Sequence, residues 1–79
     1  MIYPNPSNDA ITVQLDKNTE GGKFDLAVFD ALGRQVFSVK NQNNPQLVLH
    51  KKDIGTGMFV VRMNFENSPK AVVKKVIFE

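Results

Sequence analysis

Apolar and polar residues alternate with period two along most of this 79-residue chain, and no segment sustains the 3.6-residue period of a helix. Ile11, Val13 and Leu15 alternate with Thr12 and Gln14, which predicts a strand with one covered face. Phe24, Leu26 and Val28 form one face of the next strand, and Ala27 and Phe29 line the other. A strand covered on both sides belongs in the middle of a sheet. Residues 58–65 give the cleanest pattern, with Phe59, Val61, Met63 and Phe65 in unbroken alternation.

Further strands are predicted over residues 34–40, 46–50 and 71–78, with a short one at Ile2-Tyr3. Leu47 and Leu49 share a face of the second of these. In the last, Val72, Lys74, Val76 and Phe78 share one parity, and Val73, Lys75 and Ile77 the other. The first has mixed spacing at Val36, Phe37 and Val39, which implies a bulge or a twist between faces.

Turn chemistry separates the strands. Gly21-Gly22 breaks the chain within a loop over residues 16–23, and residues 30–34 form a hairpin loop in which Gly33 supplies positive φ. Residues 41–45 read as a polar connector, Lys51-Lys52-Asp53 as a return to solvent, Ile54-Gly55-Thr56-Gly57 as a glycine turn, and residues 66–70 as a hairpin. Strands of this length, about six or seven of them, indicate a small Ig-like antiparallel β-sandwich, with a small barrel as the other solution.

Length and composition narrow the picture. The chain is one domain over residues 1–79, near the lower limit for folding without disulfide or metal, and it has no cysteine, so apolar packing supplies its core. No apolar run nears the roughly 20 residues that span a bilayer, and no stretch reads as a signal peptide. Ten basic against eight acidic residues leave a net charge of +2, too small an excess to imply nucleic acid as a partner.

Candidate chemistry is sparse. His50 is the single histidine and reads as a surface residue beside Val48, with no second ligand or triad partner. Asp25 and Asp30 sit five apart, on opposite faces of a strand, which does not make an acid/base pair. Asn8, Asp9 and Asp53 are turn formers without the spacing of a calcium loop. Gly55-Thr56-Gly57 lacks the Lys-Ser/Thr of a phosphate loop, and Ser7, Ser38 and Ser68 have no base nearby. The six phenylalanines are better suited to a core than to base stacking, since no basic groove accompanies them. The expectation is therefore a chain that is not an enzyme and has no cofactor and no metal site.

The two chain ends carry a different kind of signal. The chain opens with Tyr3-Pro4-Asn5-Pro6-Ser7-Asn8-Asp9, where two prolines with fixed φ predict a stiff, extended segment running into a turn. It continues through Val28-Phe29-Asp30-Ala31-Leu32-Gly33-Arg34 and Ile54-Gly55-Thr56-Gly57-Met58-Phe59-Val60-Val61-Arg62, and is completed by Lys74-Lys75-Val76-Ile77. Four such elements in this order resemble the type A C-terminal sorting domain of the type IX (Por) secretion system of Bacteroidota, over nearly the whole chain. Three departures stand out. Lys52 occupies a place where the family usually has a small hydroxyl residue, Phe59 replaces the commoner tyrosine, and Glu79 follows the terminal strand and alters the charge there.

That resemblance implies a secretion signal fused to the C-terminus of a larger cargo. The cargo would cross the periplasm, be read by the type IX outer-membrane translocon, and reach the cell surface or the medium. A sortase-like surface peptidase would remove the domain upstream of its fold. The resemblance places the signal on Pro4, Asn5, Pro6, Gly33, Gly57, Phe59, Lys74, Lys75, Val76 and Ile77, with no direct membrane insertion. An exposed terminal strand is expected to give main-chain pairing to the reader, oriented by the two lysines. The alternative is a non-catalytic Ig-like or fibronectin-like spacer module of an extracellular protein. Sugar stacking is disfavoured by the absence of tryptophan and the single tyrosine, Tyr3.

Overall fold

A computed structural model describes residues 2–15, 23–66 and 69–79. The predicted strands are present: β1 (Ile2–Tyr3), β2 (Ala10–Gln14), β3 (Phe24–Phe29), β4 (Gln35–Gln42), β5 (Gln46–His50), β6 (Gly57–Phe65) and β7 (Val72–Phe78). They form two antiparallel sheets, ordered β1-β2-β5 and β4-β3-β6-β7, which is a small all-β sandwich. The loop expected over residues 16–23 falls outside the described residues except for its last, and residues 67 and 68 of the hairpin expected over residues 66–70 fall outside them too.

The alternating positions meet where the sequence puts them. Ile11 pairs with Leu49 and Val13 with Leu47 in the smaller sheet. In the larger, Val28 pairs with Val61, Leu26 with Met63, and Phe24 with Phe65. All but Leu47 are buried, and Ile54, Phe59, Val76 and Phe78 complete the core. The Phe24 and Phe65 rings lie 5.5 Å apart, and Phe59 and Phe78 meet edge to face at 6.4 Å. Strand β3 does lie between two neighbours, as its two apolar faces require. Among the phenylalanines, Phe37 packs against the core and Phe29 is half-buried on the other face of β3.

The mixed spacing of β4 resolves into two register shifts. One lies between Val28 and Phe29 of β3, so that Phe37 and then Gln35 are the consecutive partners and Val36 is extra. The other lies between Phe24 and Leu26, where β3 advances two residues and β4 three, and Asn41 there adopts φ 56°. Asparagine tolerates that left-handed conformation. Its N–H is satisfied by Asp25 Oδ1 at 2.9 Å. Asn41 and Gln42 are thus strand residues, and the connector expected over residues 41–45 begins two residues later than the polar composition implied.

A second correction concerns Lys51-Lys52-Asp53. With Ile54 these form a single helical turn, α1 (Lys51–Ile54). Gly55 N–H donates to the Lys51 carbonyl at 2.7 Å, and Lys51 N–H donates to the Asp9 carbonyl at 2.8 Å. One turn has no period to detect, and its purpose is local: it drops Ile54 into the core between β5 and β6. Gly55 and Gly57, at φ 115° and 126°, complete the change of direction into β6.

Candidate functional site

The opening segment departs most from its sequence reading. It is not extended beyond Tyr3. β1 pairs with β2 through Ile2↔Val13 and Tyr3↔Thr12, and the Tyr3 hydroxyl donates to Gln14 Oε1 at 2.7 Å. The chain then bends over residues 4–6, with both X-Pro peptide bonds cis, and Ser7 joins Phe78 in a parallel bridge. Pro4-Asn5-Pro6 is therefore a corner that carries the chain from the edge of one sheet to the edge of the other. Proline suits such a corner because it has no N–H to leave unpaired.

At this corner the two distant ends of the chain meet. The Asn5 side chain behaves as a short piece of main chain: Nδ2 donates to the Lys75 carbonyl at 2.9 Å, and Oδ1 accepts from the Ile77 N–H at 3.0 Å. Ser7 continues the ladder. Its N–H donates to the Ile77 carbonyl at 3.0 Å, and its carbonyl accepts from the Glu79 N–H at 2.8 Å. Ser7 itself is buried, its hydroxyl donating to the Ala10 carbonyl at 2.8 Å and accepting from Asp9 N–H at 3.2 Å. The serine expected in a plain turn is a structural joint.

β7 is an edge strand with β6 as its sheet neighbour. The terminal strand was expected to present a free edge, but its C-terminal half is already occupied by Asn5 and Ser7. Edge strands left bare pair with other chains, so this cover has a clear physical use. The alternation of β7 sends Val76 and Phe78 inward, fully buried, while Ile77 is exposed on the outer face at 38%. Lys74 and Lys75 are both exposed and point to opposite faces, as their parity requires.

The remaining residues of the expected signal are divided. Gly57 pairs with Phe78 and Phe59 with Val76, so these sit directly against the terminal strand. Phe59 is buried beneath it, where the ring approaches Gly55 closely: a Cβ there would stand 3.7 Å from Cζ. Gly33 lies elsewhere. It belongs to the β3–β4 hairpin at the opposite edge of the sheet, with φ 85° and nothing within 4 Å of an added Cβ. Lys52 is exposed on α1, whose main-chain bonds hold the turn without a side-chain cap.

The Gly33 hairpin is organised by Asp30. Its Oδ1 accepts from the N–H groups of Leu32 and Arg34, both at 2.9 Å, and Oδ2 takes the Arg34 Nε–H at 2.9 Å. The Arg34 backbone N–H, first, holds the Asp30 carboxyl below the usual carboxylate range; partial desolvation opposes this, and the Arg34 side chain and Leu32 N–H add to it. This is turn architecture. No cluster of three or more His, Cys, Asp or Glu residues that could hold a metal occurs among the described residues.

Beside the corner lies an open groove of about 410 Å³ between the sheets. Ile2, Val13, Leu15, Met63, Phe65 and Val72 give it an apolar floor, and Asn5, Gln14, Lys74 and Lys75 its polar margin. Sequence reasoning missed this groove and the Asn5 clamp alike.

The model of the secretion system C-terminal sorting domain family matches residues 1–79, the whole chain, and the chain belongs to that family. It is a type IX secretion C-terminal sorting domain, a family that is not catalytic and whose members direct export to the cell surface or medium as part of a cargo protein. No curated protein matches the chain.

Proposed function

We propose that the translocon reads this domain as a folded surface centred on β7, with Lys74, Lys75 and Ile77 as the exposed side chains of the recognised strand and Val76 as the buried side chain that seats it on the core. Pro4, Asn5 and Pro6 hold that strand in place, and Gly57 and Phe59 support it from β6. Gly33 acts at a distance, by shaping the far hairpin. The cargo crosses the periplasm with the domain folded, and a sortase-like surface peptidase then cuts upstream of β1.

One observation supports the reading most. Motif elements 70 and 72 residues apart in sequence, Asn5 with Lys75 and Asn5 with Ile77, are joined by direct hydrogen bonds. A motif spread over both chain ends is thus one physical object at one sheet edge. A rigid surface of this kind can be presented by many unrelated cargos, and main-chain groups give affinity without demanding much sequence.

The test is a fluorescent protein bearing a Sec signal and this domain at its C-terminus, in a host with a working type IX system. Surface or medium delivery that disappears when the translocon is deleted is the expected result. Delivery unchanged by that deletion would assign the domain to the spacer class instead.

A further inference from the structure

The ladder groups of β7 are only half used. Ile77 turns both its N–H and its carbonyl away from β6, toward Asn5 and Ser7. Strand alternation then aims the main-chain groups of Lys75 and Val73 the same way. The Lys75 carbonyl is taken by Asn5 Nδ2. The Lys75 N–H and both groups of Val73 face outward beyond the clamp, on a strand with no sheet neighbour on that side among the described residues. Val73 is 57% exposed and Val72 37%.

This open stretch borders the 410 Å³ groove, whose floor is apolar and whose lining, among the described residues, contains two lysines and no carboxylate. From this geometry we infer a docking site for an extended, carboxylate-bearing peptide segment, which adds as a strand beside Val73 and Lys75. Its main chain takes the three open ladder groups. Alternate side chains enter the groove over Val72 and Leu15, and a carboxylate meets Lys74 at the margin. Edge lysines ordinarily discourage strand addition. Here they discourage neutral and basic strands and admit acidic ones, so the same residues that guard the edge select its partner.

The inference rests on the reading of β7 as the recognised strand, but its test does not pass through export. The isotopically labelled 79-residue chain is titrated with the acetylated, amidated peptide Glu-Val-Thr-Val-Asp and followed by amide resonances and hydrogen exchange. Val73 and Lys75 amides should shift and gain protection, while Ile77 and Glu79 amides, already bonded, should not. A peptide with lysine in place of both acids should bind about tenfold or more weakly, the equivalent of losing one charge-assisted hydrogen bond. Val73→Pro removes an open donor without breaking a ladder bond, and should abolish the response in a domain that remains folded.

The inference is overturned if millimolar acidic peptide leaves Val73 and Lys75 unmoved, if the basic peptide binds equally, or if Val73→Pro responds like the parent. Concentration-dependent shifts at the same amides without peptide would assign the edge to a second copy of the chain, and would also overturn it. Peptide binding in a domain that is not exported would retain the groove and defeat the sorting reading of β7. Normal export without peptide binding would do the reverse.

Discussion

The two halves of β7 share one strand, one neighbour and one alternation, yet they face the outside differently. From Ile77 to Glu79 the outer edge is bonded to Asn5 and Ser7, while at Val73 and the Lys75 N–H it has no sheet neighbour among the described residues. The buried residues follow the same division: Val76 and Phe78 are fully covered, whereas Val72, Val73 and Lys74 lie on the surface. A sheet edge can be protected along its whole length, and β4 at the other edge comes closer to that, with a kink at Asn41 and polar residues at Gln35, Ser38 and Lys40. Protection that stops midway along β7 anchors the strand at one end and leaves the other accessible.

Removing the anchor should have the largest effect. Phe78→Ala empties the most voluminous fully buried site, at 0% exposure. Such truncations cost about 3–5 kcal/mol, enough to unfold much of so small a domain, and chemical denaturation will measure it. The difference between the halves should vanish with the fold. Gly33→Val is expected to cost about 1–3 kcal/mol, through positive φ alone, because the space around it is open. In contrast to Phe78→Ala, it should leave the contrast along β7 intact, since Gly33 lies at the far edge.

Asn5→Ala addresses the contrast itself. Two hydrogen bonds are lost at an exposed site where water can replace them, so about 1 kcal/mol is expected by denaturation. The more telling readout is amide exchange: Ile77 N–H should become as fast as Val73 N–H, while Glu79 N–H keeps its bond to Ser7. Slow Ile77 exchange in the variant would mean that the asparagine does not close the edge.

The smallest effect is a pH dependence located away from β7. Asp30 has its folded pKa lowered from 3.8, so the hairpin's contribution is fully present above that value and is lost as pH falls below it through the folded pKa. Stability of the parent should fall in that acid range more than stability of Asp30→Asn. The pattern of slow and fast amides along β7 should be the same in both.

Most of the fold was legible because burial and alternation are local properties of a strand. Phe59, Val61, Met63 and Phe65 could face one core only, and Gly33 had to occupy a left-handed position. Asp30 was legible as the start of its hairpin for the same reason. What escaped was set by contacts distant in sequence. The prolines at 4 and 6 fix φ but do not say where the chain goes next, and the amide of Asn5 gives no hint of a partner 70 residues on. The α1 turn was hidden because four residues carry no period, and the extra strand residues Asn41 and Gln42 because bulges admit polar side chains. Recognition of the family brought both ends of the chain to attention, but their junction became visible only in three dimensions.

The central claim, that the translocon reads the terminal strand of a folded domain, is tested most directly by exporting a Sec-targeted fluorescent fusion that carries Lys74→Glu and Lys75→Glu together. Both side chains are exposed, so stability should change by no more than about 0.5 kcal/mol, and denaturation will verify that the fold is retained. The account predicts a folded fusion held in the periplasm. Delivery to the surface or medium at the parent's level would contradict it.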